Sequence, residues 1–420
     1  MNKKLAILAI CIAMYGQGAN AQDRVTISVA SSGHSSMYNE IASKFMAENP
    51  NIEVKLLPST SNYDQLLQNL LQDKIVNRLP DVAFMSINQT ELLIEREIAQ
   101  PLMEFIDQDG ERMTSSGLGD NLMQTCTLDN QVFCLPFAVS VPILYYNSNL
   151  LNEVGIHDQF VPKSWDELIS IGKSVHEIHP DVSPLYFSYL DHSANWTTTA
   201  LLNSVGGSLL NAERDDIAFD TAAGAWSFEI IKRFGKVGQL DISLNQARQA
   251  FAAGTLAILS TSSSHLGRIQ EQVGDQFVLK VAPWPREDSD GWLPAGGNSI
   301  FLLTTEPEKQ QAAWRFIKFA ISPQGQAIMV RESGYMPVNA EVLQDPRYLG
   351  DYFDANPNQQ VAAEQAQFVT RWEAFPGTNG LKASDLYRDT VQKVMAGELE
   401  PDAALSDLAA QIRDLLKQGQ

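Results

Sequence analysis

The chain has 420 residues, of which 44% are hydrophobic and 19% are charged, and its formal net charge is −20. This is the composition of an ordinary globular protein, and the length favours two domains over one. Nucleic-acid binding requires a basic surface, so we expect no nucleic-acid partner for so acidic a chain. An anionic ligand would need a local group of Lys or Arg side chains acting against the general field.

Residues 1–21 have the features of a secretory signal peptide. The positively charged start MNKK precedes the apolar run LAILAICIAMYG, and Ala19-Asn20-Ala21 supplies the small residues of a cleavage site. We therefore predict export, with cleavage after Ala21. No later stretch reaches about 18 uncharged apolar residues, so the sequence predicts no membrane-spanning helix in the exported chain.

The first part of the exported chain alternates between strand and helix patterns. VTISVAS is a predicted strand, and MYNEIASKFMAENP has apolar residues at helical spacing as far as Asn49-Pro50. IEVKLLP, NYDQLLQNLLQDKIVN and DVAFMS then predict a strand, a helix and a strand. This β-α-β-α-β order is typical of a parallel sheet with helices on its faces, so the predicted fold class is α/β.

Two cysteines remain after the signal peptide, Cys126 and Cys134, and they flank a Leu-Asp-Asn turn signal. A short hairpin would bring them into disulfide range, and an exported protein meets an oxidising compartment. The sequence therefore predicts a disulfide, with two free thiols as the alternative. Because no histidine accompanies the pair, it is a poor metal site.

Two extended segments resemble connections between two lobes, Leu135–Asn147 and Val281–Leu303. Between them, PLYFSY and LAILS predict further strands that are each followed by a helix, and the C-terminal region predicts two more helices. Ligands of open α/β sheets bind at the carboxyl ends of the strands. We therefore expect a two-lobed protein with crossing hinge segments and a ligand cleft between the lobes.

The crossing segments also predict the domain boundaries. One lobe is expected to contain residues 22–140 and about 298–335. The other lobe is expected to contain residues 141–297 and about 336–420. No Gly/Ser-rich linker separates the two, so the chain is predicted to pass back and forth between them.

Motifs for catalysis, metal binding and nucleotide binding are missing or weak. The chain has no G-x-S-x-G, no G-x-x-x-x-G-K-[ST] and no G-x-G-x-x-G. Ser170 and Lys173 match S-x-x-K, but the partner motifs S-D-N and K-T-G are absent. His176 and His179 are close along the chain, yet they do not form an H-E-x-x-H motif. We expect no catalytic residue, no metal site and no cofactor.

Five hydroxyl residues in a row, Ser260 to Ser264, lie between a predicted strand and a predicted helix. Three interpretations compete: a nucleophilic serine, a cradle for a polar ligand, and a polar turn with a helix cap. The neighbouring histidine is His265, directly beside Ser264, which is not a spacing that a catalytic triad uses by default. We expect Ser262 or Ser263 to cap the helix and Ser264 to face the cleft.

Aromatic and small polar residues gather at the ends of the predicted elements. Singly, each is typical of a core, cap or turn position. Together they suit a hydroxylated ligand, because aromatic faces stack on sugar or polyol carbons while amides and hydroxyls bond hydroxyl groups. Glycines let the backbone approach the ligand. The predicted ligand-binding residues are Tyr63, Asn88, Ser140, Trp196, Ser263, Ser264, Gly297, Tyr335 and Lys382, with Gly296 and Asn298 beside Gly297.

Several longer segments occur in an order that spans nearly all of the exported chain: FMAENPNIEVKL, LPDVAFM, LPFAVSVPILYYNSNLLNEVGI, VPKSWDELISIGKSV, FAAGTLAIL, AAWRFIKFAISPQGQAIM and SGYMPVN. In these segments the chain resembles the periplasmic solute-binding proteins of bacterial ABC importers, in the large family 1 that includes maltose-binding and glycerol-3-phosphate-binding proteins. The resemblance implies a two-lobed fold that closes on a small-molecule ligand like a hinged clamp. It also implies a periplasmic monomer, an inner-membrane ABC permease as partner and no catalytic activity.

Within that family, the chain most resembles the glycerol-3-phosphate and glycerophosphodiester binders. The positions that match ligand contacts of this subgroup are Tyr63, Trp196, Ser263 or Ser264, Gly297 and Tyr335. Asn88 stands where an acidic residue would contact glycerol hydroxyls. Lys382 stands roughly where an arginine would clamp phosphate, with Arg371 and Arg388 nearby in the chain. A lysine attracts phosphate as a point charge, without the bidentate fork of arginine.

These departures leave two classes of ligand open. One is a phosphorylated polyol, and the other is a neutral sugar, oligosaccharide or polyol. The acidity of the chain slightly favours the neutral ligand. A secreted hydrolase is the competing class, and it would need a carboxylate pair or an activated serine in the cleft. A third class is a receptor for an amino acid, a peptide or a metal, and an amino-acid receptor would place both an Arg and an Asp in the cleft.

Overall fold

The computed structural model describes residues 24–109, 123, 125–157, 160–189, 195–339 and 341–418. The predicted signal peptide lies outside these residues. The strands are β1 (Val25–Ala30), β2 (Ile52–Leu56), β3 (Val82–Ser86), β4 (Thr127–Leu128), β5 (Gln131–Val132), β6 (Cys134–Ser140), β7 (Pro142–Asn147), β8 (Ser183–Phe187), β9 (Leu256–Ser262), β10 (Leu279–Pro283), β11 (Leu293–Pro294), β12 (Gly296–Leu302), β13 (Met336–Pro337) and β14 (Val369–Thr370).

Helices cover both faces of the two larger sheets. They are α1 (Ser35–Glu48), α2 (Tyr63–Ile75), α3 (Thr90–Glu95), α4 (Met103–Asp109), α5 (Ser148–Glu153), α6 (Trp165–Ile178), α7 (Trp196–Asn203), α8 (Ala222–Lys236), α9 (Leu244–Ala252), α10 (Leu266–Val273), α11 (Pro307–Ile321), α12 (Pro323–Arg331), α13 (Glu341–Gln344), α14 (Tyr352–Ala355), α15 (Pro357–Glu364), α16 (Gly380–Met395) and α17 (Pro401–Gln418).

The first lobe is built on a six-stranded sheet with the order β13-β6-β12-β3-β1-β2. β1 pairs in parallel with β2 and β3, as the β-α-β-α-β pattern predicts. β12 and β13 join antiparallel, because the chain comes back to them from elsewhere in the molecule. Apolar residues of α1, α11 and α12 cover one face of the sheet, and those of α2 and α3 cover the other.

The second lobe is built on a four-stranded sheet with the order β10-β7-β9-β8. β8 and β9 are parallel, whereas β7 pairs antiparallel with both β9 and β10. Helices α6, α7, α8, α16 and α17 pack on one face around the fully buried Trp165, and α9 and α10 pack on the other. The two C-terminal helices thus belong to the core of the second lobe.

The chain passes between the lobes at short extended segments. β6 of the first sheet and β7 of the second are separated by Val141 alone, and β11 is separated from β12 by Ala295. A third passage follows α14, since Tyr352 and Phe353 pack on the first core while α15 packs on β10. Three passages side by side form a hinge that restrains the lobes to opening and closing.

The sequence-based division into lobes stays a prediction. Its third boundary, near residue 335, lies earlier than the third passage. β13 pairs with β6 of the first sheet, and Val342 and Leu349 lie in the core of the first lobe. We therefore propose a boundary close to Asn356, between α14 and α15.

The hairpin that precedes β6 contains the predicted disulfide. β4 and β5 pair antiparallel around Asp129 and Asn130, and both turn residues have positive φ, 49° and 60°. Two consecutive left-handed residues are what a tight two-residue hairpin requires. Cys126 and Cys134 are bonded, with their Cα atoms 5.0 Å apart, so the predicted disulfide is confirmed. Across the described residues, no helix is both long and apolar enough for a membrane span.

Candidate functional site

Polar side chains from both lobes meet where the two sheets face each other. Tyr63 begins α2, Asn298 lies in β12, and Tyr335 directly precedes β13, all in the first lobe. Ser264 follows β9 in the second lobe. The structure therefore brings together residues that are far apart in the chain, at the ends of their elements.

Asn298 organises the phenol groups of the cleft. Its Nδ2 donates to the Tyr63 hydroxyl at 2.9 Å and to the Tyr38 hydroxyl at 3.4 Å. The hydroxyls of Tyr63 and Tyr335 lie 3.4 Å apart. Because a phenol that accepts from an amide still has its own proton, these groups can donate to an oxygen of a ligand. Asn298 Oδ1 is buried without a partner among the described residues, and it supplies an acceptor.

The phenols stay protonated at any physiological pH. Burial raises the pKa of Tyr63 well above its ordinary value, and the neighbouring hydroxyls of Tyr335 and Tyr38 add to this effect. Burial also raises the pKa of Tyr335, although hydrogen bonds from Tyr63, Ser264 and Asn298 oppose it. The group therefore presents neutral O–H donors rather than phenolates.

The hydroxyl run divides into residues with different tasks. Ser262 accepts from the Ser264 backbone N–H at 3.2 Å and so caps the short turn Ser263–His265. The helix α10 begins after His265 without a side-chain cap, so neither Ser262 nor Ser263 caps it as expected. Ser263 accepts from the Val141 N–H at 3.2 Å, which ties it to the first hinge passage. The Ser264 hydroxyl lies 2.9 Å from Ser262 Oγ, and across the lobes it acts to lower the pKa of Tyr335. Of the two predicted serines, Ser264 lies in the cleft and Ser263 braces the hinge.

Trp196, Ser140 and Gly296 form a tight group at the hinge side of the cleft. The indole Nε1 of Trp196 donates to the Pro294 carbonyl at 3.0 Å, and the side chain is buried. A Cβ on Gly296 would lie 2.6 Å from Ser140 Oγ and 2.7 Å from the Trp196 ring. Glycine is therefore required here to let the ring lie against the backbone. Trp372 lies 6.3 Å from Trp196, ring centre to ring centre.

The predicted residue Gly297 supports the strand next to this group. Its φ is 114°, and an added Cβ would lie 2.0 Å from the Ala138 carbonyl oxygen. In β12 it pairs with Val139 of the first hinge passage. Gly297 therefore adopts this conformation as part of the sheet. The strand in turn orients the next residue, Asn298, toward the tyrosines.

Asn88 lies at the turn after β3, where Ser86 Oγ donates to its Oδ1 at 2.6 Å. Its Nδ2 is buried without a partner in the described part of the chain. Three residues further on, Glu91 is held by two arginines of the second lobe. Arg371 donates to it at 2.5 Å, and Arg214 makes a two-pronged contact. We call Glu91, Arg214 and Arg371 the inter-lobe latch.

Lys382 makes no hydrogen bond to the tyrosines in the described part of the chain. It lies exposed on the first turn of α16, in the second lobe. Arg388, two turns further along, is bonded to Asp385 at 2.9 Å and to Asp389 at 3.2 Å. Of these two sequence-based candidates for the anion contact, Arg388 is thus paired with carboxylates and Lys382 is exposed.

Sequence reasoning missed several residues at the cleft. Tyr38 has the pattern of an apolar helix position, His34 belongs to no motif, and His265 stands out only as a neighbour of the hydroxyl run. Trp372 follows a strand of only two residues, too short for a pattern to predict. Only His34 and Tyr38 carry a signal that could have found them, because both lie at the start of α1.

The site contains little that could act as a catalyst. His265 Nδ1 lies 3.3 Å from an Arg248 guanidinium nitrogen, so the imidazole faces a cation rather than a serine. Within the described ranges, no hydrogen bond joins a serine to a histidine side chain, and no three His, Cys, Asp or Glu side chains gather as a metal ion would need. Neutral donors and an amide instead suit the binding of a hydroxylated or anionic solute.

The chain matches known proteins over most of its length. The family model described as bacterial extracellular solute-binding protein matches residues 40–360. The sn-glycerol-3-phosphate-binding periplasmic protein UgpB of Escherichia coli K12 is 21% identical over 436 residues, which cover 98% of this chain and 96% of that protein. The resemblance to carbohydrate-type solute-binding proteins of ABC importers is thereby confirmed.

Solved structures of such proteins share the fold. UgpB from Mycobacterium tuberculosis, in complex with glycerophosphocholine, has a TM-score of 0.82 at 19% identity, covering 94% of this chain and 98% of that one. The GacH receptor of Streptomyces glaucescens, determined unliganded and with acarbose, has a TM-score of 0.79 at 19% identity, covering 94% of this chain and 100% of that one. The predicted two-lobed fold with crossing segments is thus confirmed.

Proposed function

Because the chain belongs to the family of bacterial extracellular solute-binding proteins, we propose that it is the periplasmic substrate-binding component of an ABC importer. Its ligand in this proposal is a small hydroxylated solute such as glycerol-3-phosphate or a glycerophosphodiester. The observation that supports this proposal most strongly is that Tyr63, Asn298 and Tyr335 of the first lobe lie together with Ser264 of the second. The group joins several neutral O–H donors, which complement hydroxyl and phosphate oxygens, with one buried amide oxygen, which can accept from a ligand hydroxyl.

A neutral sugar, oligosaccharide or polyol is the second candidate ligand for the same receptor. The indoles of Trp196 and Trp372 lie beside each other at the hinge side of the cleft, and aromatic faces favour the carbon face of a sugar. Lys382 is exposed and lacks the bidentate fork of an arginine, so it is also a weak phosphate clamp. A hydrolase is disfavoured by the tyrosine and amide composition of the cleft, and we propose that the protein has no catalytic activity.

Capture would proceed by closure of the two lobes. A ligand that bonds Tyr335 on one side and Ser264 on the other touches both lobes only when they are closed. It therefore binds the closed state better and shifts the population toward it. The inter-lobe latch acts in the same direction, since Glu91 belongs to the first lobe while its arginines belong to the second.

The proposal includes the route of the protein and its partner. Residues 1–21 would direct export and be removed after Ala21. The exported protein would then act as a monomer in the periplasm. The closed, loaded form would be recognised by an ABC permease of the inner membrane, with no nucleic-acid partner. A small-molecule ligand and the permease are thus the only partners proposed.

A thermal-shift screen tests the ligand class. Glycerol-3-phosphate, a glycerophosphodiester, glycerol and neutral sugars are each added to the purified protein. A ligand bound only by the native state stabilises it by about 2.7 kcal/mol at a hundredfold excess over its Kd. We expect a phosphorylated polyol to raise the melting temperature, and a rise with sugars alone would favour the second candidate. The absence of a shift with every hydroxylated compound would contradict the proposal.

A conservative pair of variants then locates the site. Tyr335→Phe removes one buried hydroxyl and should weaken the compound found in the screen about tenfold, as loss of a hydrogen bond to a charged or polar group does. Tyr348→Phe, in the segment between α13 and α14, is the matched control and should bind like the unchanged protein. Equal affinities for both variants would place the ligand elsewhere.

A further inference from the structure

The two lobes touch through bare backbone directly beside Tyr335. Gly334 is buried in the first lobe, between α12 and β13. A Cβ added to Gly334 would lie 1.8 Å from the carbonyl oxygen of Ser263 and 2.8 Å from the Cβ of Leu266. Ser263 and Leu266 both belong to the second lobe, in the turn after β9 and at the start of α10. The nearest atoms that such a Cβ would meet thus come from the opposite lobe. We call this meeting of Gly334 with Ser263 and Leu266 the Gly334 contact.

On the side of the second lobe, Ser263 is held in place by hydrogen bonds. Its backbone N–H donates to the Val141 carbonyl at 2.9 Å, and its Oγ accepts from the Val141 N–H at 3.2 Å. The hydroxyl of Tyr145, in β7, donates to the Ser262 carbonyl at 2.7 Å and lies 3.3 Å from the Ser263 carbonyl oxygen. A shift of the Ser263 carbonyl within its own lobe would strain or break these buried hydrogen bonds, which is costly.

On the side of the first lobe, Gly334 is held equally well. Ser333 Oγ donates to the Met329 carbonyl of α12 at 2.5 Å and accepts from the Tyr335 N–H at 3.1 Å. Directly after Tyr335, β13 pairs with β6 of the six-stranded sheet. Because both backbones are fixed within their lobes, a side chain at position 334 fits only if the lobes themselves move apart.

A second glycine at the same junction has more space. Gly267 lies on α10, and a Cβ added to it would lie 3.7 Å from the Ser333 carbonyl oxygen, which is an ordinary van der Waals contact. Neither Gly334 nor Gly267 has a positive φ, so the backbone accepts alanine at both positions. The two glycines therefore differ in the distance that separates them from the opposite lobe.

We propose that the Gly334 contact sets how far the two lobes close, and that full closure requires glycine at position 334. The inference rests on the proposed function, since closure on a ligand is the movement that the contact would limit. An alanine Cβ reaches an ordinary contact distance only when the backbones separate by more than about 1 Å.

The same separation would act directly on the cleft. Tyr335 follows Gly334 in the chain, and Ser264 follows Ser263. Moving the two backbones apart therefore moves the Ser264 hydroxyl away from that of Tyr335. Hydrogen bonds weaken beyond about 3.2 Å, so a ligand that touches both lobes would lose contacts to one of them.

Titration calorimetry compares Gly334→Ala with the matched variant Gly267→Ala. Glycerol-3-phosphate is the probe, and maltose takes its place if only neutral sugars raise the melting temperature of the unchanged protein. We expect Gly334→Ala to weaken binding about a hundredfold, because the fully closed state becomes rare. Gly267→Ala adds the same methyl group at the same junction and should bind like the unchanged protein.

Two further measurements separate closure from folding. Without a probe, Gly334→Ala should melt at the same temperature as Gly267→Ala, because each lobe keeps its own contacts. With enough probe to saturate each protein, small-angle X-ray scattering should give Gly334→Ala a larger radius of gyration than the unchanged protein. A purely structural role for Gly334 would change the melting temperature and leave this difference absent.

Each outcome decides a different point. A loss of affinity confined to Gly334→Ala, with an unchanged melting temperature of the free protein, supports the inference. Equal affinities for Gly334→Ala and the unchanged protein overturn it and leave the proposed function intact. Failure of Gly334→Ala to fold, or early melting without a probe, also overturns it, because the contact would then belong to the core of the free protein. An unchanged protein that binds no hydroxylated solute would contradict the proposed function, and the inference with it.

Discussion

Buried ionisable side chains at the cleft couple stability to pH in opposite directions. His34 has a folded-state pKa of about 4, lowered by burial and by Arg268 and Arg248. Between pH 6.5 and about 4 the unfolded chain therefore holds a proton that the native state lacks, so stability falls as the pH falls. Asp64 has a folded-state pKa of about 6, raised by burial and Asp385, so its effect on stability has the opposite sign between pH 6 and 3.8.

A His34→Gln variant should therefore lose less stability on acidification than the unchanged protein. The difference in unfolding free energy at pH 5, relative to pH 7.5, is expected to be about 2 kcal/mol in favour of the variant. Urea unfolding followed by tryptophan fluorescence at the two pH values measures it. Asp64→Asn is the matched control, because its advantage should appear at pH 7.5 and shrink toward pH 4. The same pH slope for all three proteins would contradict the assignment.

Gly297 is a position that only glycine can occupy. A Cβ there would lie 2.0 Å from the Ala138 carbonyl oxygen, a backbone atom that cannot move away, and φ is 114°. We expect Gly297→Ala to cost about 3 kcal/mol or more in unfolding free energy. Gly33→Ala is the control, since Gly33 also has positive φ, 61°, but its Cβ would meet nothing within 4 Å. Denaturant unfolding at neutral pH separates the two, and similar losses would mean that backbone strain alone matters.

The elements of the fold differ in how far local patterns predicted them. β1, α1, β2, α2 and β3 follow from periodicity, because each element buries one face against the same sheet. The hairpin around Asp129 and Asn130 follows from its turn residues, and with it the disulfide of Cys126 and Cys134. β11 and β14 are two residues each, and they pair only because the hinge passages bring them together. Such short elements carry no pattern of their own.

The inter-lobe latch is a contact between elements that lie far apart in sequence. Glu91 on α3 meets Arg214 and Arg371 of the second lobe, and all three side chains are about one quarter to one third exposed, at 36%, 25% and 34%. Ion pairs of this exposure contribute about 1 kcal/mol at most. The contact can therefore bias closure without locking the lobes together.

We expect Glu91→Gln to weaken ligand binding about fivefold, because it removes ion pairs that join the two lobes and so favour their closure. Titration calorimetry with the compound found by thermal shift measures the change. Glu400→Gln is the control, since Glu400 pairs with Lys232 inside the second lobe and should not affect closure. If both variants bind alike, the latch has no part in closing the cleft.

At the scale of the whole molecule, three passages between the lobes permit one main movement. The protein in solution is expected to become more compact when its ligand binds, because the ligand favours the closed state. Small-angle X-ray scattering with and without saturating ligand measures the radius of gyration. A sugar that produces no thermal shift is the control and should leave the curve unchanged. Identical curves with the true ligand would mean that the lobes do not open in solution.

The candidate site was predictable only in part, for a reason that particular residues illustrate. Tyr63, Ser264 and Tyr335 could be chosen from their places at element ends, and the structure brings them together. Ser263 has the same local pattern as Ser264, yet its hydroxyl faces Val141 in the hinge. Lys382 matched an expected arginine by approximate position, and it lies exposed on α16. The direction in which a side chain at a strand end points is decided by neighbours from distant parts of the chain, which the local sequence does not contain.

The sequence by itself determined the α/β class, the hairpin disulfide and the crossing segments. Periodicity, turn chemistry and the family segments can all be recognised in residues that are neighbours along the chain. Only the tertiary structure decided which polar side chains share the cleft. Tyr63 and Tyr335 are 272 residues apart, and the charge of Arg248 in the second lobe lowers the pKa of His34 in the first. The charge pattern of the cleft is a sum over such distant groups. Electrostatic forces depend on distance in space, so folding alone decides which charged groups act on the cleft.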